Sequence, residues 1–344
     1  MLAFGVMRTR SFYLAAVLTL ICSAMGTMLA GLPYFAIIGA LVISLILGML
    51  LQVYQPAIES SKAGIGFISN KFLRLGIILL GFKLNLIQLA QAGVKTITLA
   101  IVVVTGTIIL TYNIARKLGV SEQLSILAAS GTGICGAAAV MGISPQIQVS
   151  EDKADQKRED EVLAVAIVAI LGTVFTLIEI GLKPLLHMTP TQFGIMAGGS
   201  LHEIAHAVAT GGAGGPVSLD TAIITKLSRV LMLAPAALII GVWYQHKVNK
   251  DNPATAGKQK LPIPWFMAGF ILASVIGTFV PMGTEALNGL VKIAYLVLGM
   301  AMAALGMSVN FKVILHRGKN AFLAAGISSV ILLTFVIIVS KTFF

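Results

Sequence analysis

Residues 126–145 read ILAASGTGICGAAAVMGISP, and this stretch decides how the chain folds. It is apolar enough for a membrane crossing, which takes about 20 such residues. Yet Gly131, Gly133 and Gly136 fall within six residues, and Pro145 follows. A glycine inside a helix costs about 1 kcal/mol against alanine, so the helix is predicted to break here. Backbone groups freed inside a bilayer must face protein or a wet cavity. The restarted half-helix would then offer N–H groups and a positive dipole end to an anion. Gly131, Thr132, Gly133, Cys135 and Gly136 are therefore candidate substrate-binding residues. Close helix packing through small residues is the competing explanation of the same glycines.

A second stretch, GGSLHEIAHAVATGG at 198–212, places His202, Glu203 and His206 within an apolar run. Ionisable side chains inside a membrane are expensive and mark function by default. If 194–213 is one helix, His202 and His206 share a face and spell HExxH, the zincin pattern, with Glu203 as base. An intramembrane zinc protease is thus the alternative from another functional class. It needs a third ligand, and Asp220, at a loop-to-helix edge, is the nearest candidate. Further on, Lys226 and Arg229 are three apart and share a helix face. Both lie near the middle of an apolar segment, where snorkelling is hardest. They suit an anionic substrate or Glu203. Ser200 and Asn310 complete the candidate polar set, while Glu179 and Lys183 fall at a predicted helix end and are assigned to solvent.

Composition gives these stretches their setting. Of 344 residues, 57% are hydrophobic and only 11% charged, with a mean hydropathy of +0.96. Soluble domains carry about 25% charged residues, so a soluble enzyme, a disordered chain and a secreted disulfide scaffold are all excluded. Eleven apolar segments are expected to span, near 11–30, 33–53, 72–91, 96–114, 123–148, 161–183, 194–213, 221–244, 264–282, 290–311 and 320–343. None shows the period-2 alternation of barrel strands. The expected fold is all-α: a polytopic membrane protein of about 11 transmembrane helices, with inverted repeats and discontinuous helices. The first segment runs on to about Leu32, longer than a signal peptide's apolar core of about 7–15 residues. Cys22 and Cys135 both fall within predicted spans, without metal-ligand spacing. No cofactor is expected.

The net charge of +11 reads as topology rather than nucleic-acid binding. With the N-terminus cytoplasmic, Lys and Arg favour the inner side, among them Lys62, Lys71, Arg74 and the basic 246–260 loop. The C-terminus is then outside. The charged stretch EDKADQKRED at 151–160 resists, because it falls in an outer loop. Leu80-Gly81, Asn85 and Gly93 recur with identical spacing as Leu305-Gly306, Asn310 and Gly318, and Pro33-Tyr34-Phe35 resembles Pro264-Trp265-Phe266. The copies lie seven predicted helices apart, an odd offset that fits an inverted repeat. A different partition pairs the fifth helix with the tenth. The expected organisation is an N-terminal helix over 1–30, one transmembrane half over 31–184 and a second over 190–344.

The runs GTGICGAAAV (131–140), GGSLHEIAHAVATGG (198–212), KLSRVLMLAP (226–235), LRLGIILLGFKLNL (73–86) and AMAALGMSVNFK (301–312) resemble the YeiH-type sulfate exporter family. The resemblance runs from about Gly31 onward. It implies the inverted-repeat fold of sodium/proton antiporters and bile-acid symporters, with two unwound helices crossing near the midplane. Family members show His202-Glu203 more regularly than His206, which favours coincidence for HExxH. The 151–160 insert is longer than the family's acidic turn. Together these readings imply a secondary transporter of a bacterial inner membrane moving a small anion, sulfate or an organosulfonate-related one. His202 and Glu203 would couple it to protons. Its partners are the anion and the lipid bilayer, with homo-oligomers open and nucleic acid not expected.

Overall fold

A computed structural model describes residues 6–32, 40–83, 86–91, 93–149, 153–251, 265–280, 282–307 and 311–344. The described residues form helices joined by short connections. In chain order they are α1 (Arg10–Ala30), α2 (Ala40–Leu51), α3 (Gln55–Leu80), α4 (Leu86–Gln91), α5 (Gly93–Lys117), α6 (Glu122–Gly133), α7 (Ala137–Ile143) and α8 (Ala154–Leu186). There follow α9 (Pro190–Ser200), α10 (Ile204–Ala213), α11 (Pro216–Leu231), α12 (Leu233–Asp251), α13 (Trp265–Phe279), α14 (Thr284–Gly306) and α15 (Phe311–Phe343).

Seven helices among the described residues are long and apolar enough to cross a membrane. They are α1, α3 with its short extension to Lys83, α5, α8, a span over Pro216–Val248, and the apolar stretches of α14 and α15. The other four expected crossings do not appear as single long helices among the described residues. Two are interrupted, as α6/α7 and α9/α10, and α2 and α13 have 12 and 15 described residues.

Two boundaries differ from expectation. Helix α3 begins at Gln55, well before the predicted span at 72, so Lys62 and Lys71 lie within a helix and not in the connection before it. Its first half is amphipathic: Ser61, Gly64, Ile65 and Ile68 are buried, at the spacing of one helical face, and Lys62 is exposed. A search for uniformly apolar runs passes over such a segment. Likewise α8 starts at Ala154, so 154–160 is its first two turns rather than an outer loop. Asp160 in it is buried and accepts from Ser121 Oγ at 3.2 Å.

The chain divides into two compact units, and each predicted half contributes to both. The first comprises Met1–Ile87 and Phe266–Asn310. Small residues let its helices approach closely. Gly48 and Gly306 face the backbone of the partner helix at Ala303 and Leu45, and Ser23 Oγ donates to Leu296 O at 2.8 Å. Without a hydrophobic driving force in lipid, such close contacts and interhelical hydrogen bonds hold helices together. Phe12, Cys22, Ile65, Ile68, Met300 and Met307 form its core. Of the repeat signatures, Gly81 caps α3 and Gly306 closes α14, while Pro33-Tyr34-Phe35, Asn85, Pro264 and Asn310 lie outside the described residues.

The second unit comprises Gln88–Trp265 and Phe311–Phe344. Gly194 and Gly198 on α9 sit against Ser218 and Ala222 of α11, where an added Cβ would overlap backbone. Both interrupted helices lie within this unit.

Candidate functional site

The first interruption is built by glycine. Helix α6 starts at an N-cap, Ser121, whose hydroxyl accepts from Leu124 N at 3.3 Å, and it runs to Gly133. Ile134-Cys135-Gly136 then leave the helical path. Gly136 N donates to Gly131 O at 2.9 Å, and Gly136 has φ +68°, the left-handed region that favours glycine. The chain restarts as α7 at Ala137. This is the break that the glycine spacing predicts.

The second interruption separates α9 from α10 at Leu201-His202-Glu203. Thr189 and Gln192 form a capping box at the start of α9, and Pro190 occupies its first turn. Leu201 and Glu203 are both extended, and Glu203 is the N-cap residue of α10. His202 thus lies in the break and His206 in α10. The expected single helix bearing HExxH on one face does not form, and this corrects the zinc reading. Asp220 is exposed on α11, four residues after its start. Among the described residues no group of three or more His, Cys, Asp or Glu could hold a metal ion.

Lys226 and Arg229, from α11, tie the two interruptions together. Lys226 Nζ donates to Ile134 O at 2.9 Å and to Leu201 O at 2.5 Å. Arg229 Nη2 donates to Thr132 O at 3.2 Å and Gly133 O at 2.8 Å, and Nε also reaches Gly133 O at 3.3 Å. Its Nη1 donates to Gly199 O at 2.8 Å, Leu201 O at 2.9 Å and Gly198 O at 3.4 Å. These oxygens belong to the last turns of α6 and α9 and to the breaks that follow. Such carbonyls have no intrahelical partner and carry the negative dipole end. Two fully buried basic side chains thus bridge two converging helix C-termini, and the planar five-donor guanidinium suits the split between them.

Glu203 completes the arrangement from the opposite charge. Its Oε1 accepts from Ala137 N at 3.4 Å, at the first residue of α7. A Cβ on Gly136 would lie 2.5 Å from Glu203 Cγ, so the absent side chain makes room for the carboxylate. The Ala137 N–H, at the helix start expected to receive a substrate anion, therefore faces the protein's own carboxyl group.

The remaining candidates are distributed around this core. Thr132 Oγ1 turns back to Ala128 O at 2.8 Å, and Cys135 is a buried free thiol. His202 Nε2 lies 3.0 Å from Ser329 Oγ on α15. That hydroxyl donates to Ala325 O at 2.7 Å, so Nε2 is the donor to it, and Nδ1 has no hydrogen-bond partner. The His206 ring packs on Gly172, with neither nitrogen hydrogen-bonded. Ser200 Oγ is 2.6 Å from both Met196 O and Glu179 Oε1.

Glu179 is the residue that sequence reasoning misplaced. It was assigned to a solvated helix end, but α8 continues to Leu186 and Glu179 is 0% exposed. The signal was available: Gly172, Phe175 and Thr176 precede it by seven, four and three residues, the spacing of one buried face. Along that face His206 meets Gly172, His202 meets Phe175 and Ser200 meets Glu179.

The family model described as Conserved hypothetical protein 698 matches residues 15–325. A UPF0324 membrane protein of Lactobacillus johnsonii is 60% identical over 343 residues, covering 99% of each chain. One from Bifidobacterium longum is 55% identical over 337 residues, 95% of this chain and 94% of its own. Another from Bacillus cereus is 40% identical over 315 residues, 92% and 90% of the two chains. No solved structure matches.

Proposed function

The chain belongs to the UPF0324 family of membrane proteins, and we propose that it is a secondary transporter of a small anion, with sulfate as the first substrate to test. The observation that carries this reading is the meeting of two interrupted helices at Lys226 and Arg229, with Glu203 at the start of α7. Interrupted helices inside a membrane expose backbone that is tolerated only in protein or at a wet cavity, and transporters place substrates at such breaks.

In this reading the carboxylate of Glu203 occupies the place of the anion. Substrate binds when Glu203 is displaced or protonated, because the Ala137 N–H then needs another acceptor. Lys226 and Arg229 hold the two C-terminal ends together and supply the positive field. They keep that field while bonded to carbonyls, since hydrogen bonding leaves their charge in place. The resemblance to sulfate exporters, the inverted repeat, the two transmembrane halves, the inner-membrane location and the cytoplasmic N-terminus all belong to the same proposal. A proton gradient is its natural driving force, through Glu203 and His202.

The test is flux. Vesicles containing the purified protein should take up labelled sulfate, or a related anion, under an imposed proton or anion gradient. Lys226→Ala and Arg229→Ala should reduce that uptake. Failure of every anion tested to move would remove the proposal.

A further inference from the structure

We propose that Glu179 is a proton-binding site: in the conformation seen here its carboxyl group carries a proton and donates it to Ser200 Oγ. The assignment of the proton stands on geometry, and only its coupling role rests on the transporter reading above. Ser200 Oγ lies 2.6 Å from Glu179 Oε1 and 2.6 Å from Met196 O. A hydroxyl has one proton to donate. Met196 O can only accept, so the Ser200 proton points there, and the short contact to Glu179 then needs a proton from the glutamate side. A charged carboxylate at that distance would set lone pair against lone pair.

Burial points the same way. Glu179 is 0% exposed, and its Oε2 has no hydrogen-bond partner. A neutral acid leaves one carbonyl oxygen unpaired there, a penalty of about 1–3 kcal/mol. An ionised group would bury a charge with no ion-pair partner in contact, which is far more expensive. The titratable groups facing this stretch of α8 are His202 and His206, with Lys226 and Arg229 beyond Ser200, while Lys183, one turn along α8, donates to Ala213 O. None of them forms an ion pair with Glu179.

The position of Ser200 gives this proton a consequence. Ser200 is the last residue of α9, flanked by Gly199 and Leu201, whose carbonyls hold Arg229. When the Glu179 proton leaves to water, Ser200 must turn its hydroxyl from Met196 O to the new carboxylate. The change is delivered to the helix end that grips Arg229. Charge gives the direction of coupling: an ionised Glu179 would add a second buried carboxylate to the site beside Glu203, and an arriving anion would add further negative charge, so proton and anion load together. His202 Nδ1 and both nitrogens of His206 continue the row of unpartnered polar atoms along α8, an entry path for the proton.

Infrared spectroscopy of the protein in lipid vesicles tests this directly. Wild type and Glu203→Gln should both show the carbonyl band of a protonated, dry carboxylic acid, and Glu179→Gln should lose it. Should Glu179→Gln fail to fold, carboxyl-labelled glutamate in Glu203→Gln protein should shift the same band, because Glu179 is then the one buried glutamate left among the described residues. Absence of the band, or its persistence in Glu179→Gln, overturns the proposal. In flux measurements Glu179→Gln should abolish the proton uptake that accompanies anion uptake, and undiminished proton uptake overturns the coupling. The infrared band does not depend on transport, so it still decides the proton site if no anion is moved.

Discussion

Glu203 Oε1 accepts from Ala137 N at 3.4 Å, so a side chain from one interruption holds the start of the half-helix that follows the other. The contact depends on Gly136, which supplies both a left-handed φ of +68° and the space the carboxylate fills. Gly136→Ala should therefore destabilise twice, through backbone strain of about 1–3 kcal/mol and through the clash with Glu203 Cγ. Thermal unfolding in detergent should show a lowered midpoint. Adding Glu203→Ala should recover the steric part and leave the backbone part.

Arg229 makes six hydrogen bonds to five carbonyl oxygens from two helix ends. Arg229→Ala takes the donor from four of those oxygens and leaves Leu201 O with Lys226 alone, and the expected loss is about 3–5 kcal/mol, the scale for breaking a buried charged network. Arg229→Lys keeps the charge but places its donors at one point, so it should fall between wild type and alanine. Equal stability of the lysine variant and wild type would show that the fork geometry is not used.

The pair Lys247–Glu122 provides the contrast. Its atoms are 2.7 Å apart, yet the side chains are 38% and 22% exposed. Water already solvates both partners, so Glu122→Gln should change stability by less than about 1 kcal/mol. Comparing the two variants by chemical denaturation separates charge that is buried from charge that is merely close.

Gly172 is a packing residue for His206. A Cβ there would overlap the imidazole ring, and overpacking of this kind costs about 1–3 kcal/mol. Gly172→Ala should lower stability, and the double variant with His206→Ala should restore much of it. That non-additivity is the signature of direct contact. Additive losses would mean that the ring has room to move.

The first interruption was legible because its cause is local. Gly131, Gly133 and Gly136 remove helix propensity within a few residues, and Gly136 adopts a backbone that other residues avoid. The second was hidden from the residues themselves. Leu201, His202 and Glu203 carry no break signal, and the helix end they leave is held by Arg229 and Lys226, which donate to it from farther along the chain. Only the family resemblance implied a second unwound helix. HExxH looked like chemistry for the same reason, since spacing along a sequence assumes an unbroken helix. The seven continuous spans were visible as apolar runs. The amphipathic start of α3 and the buried Glu179 were not, because uniform apolarity is the wrong measure for a helix that carries a polar face.

Sulfate uptake into vesicles as external pH is stepped, with wild type beside Glu203→Gln, tests the central claim most directly. The account predicts saturable uptake that strengthens as pH falls, because protonation takes the competing charge off the Ala137 N–H. Glu203→Gln, without that charge, should show a shallower profile and a lower half-saturation concentration than wild type at alkaline pH. Vesicles that take up no more sulfate or related anion than empty ones, or a variant with the affinity and pH profile of wild type, would contradict it.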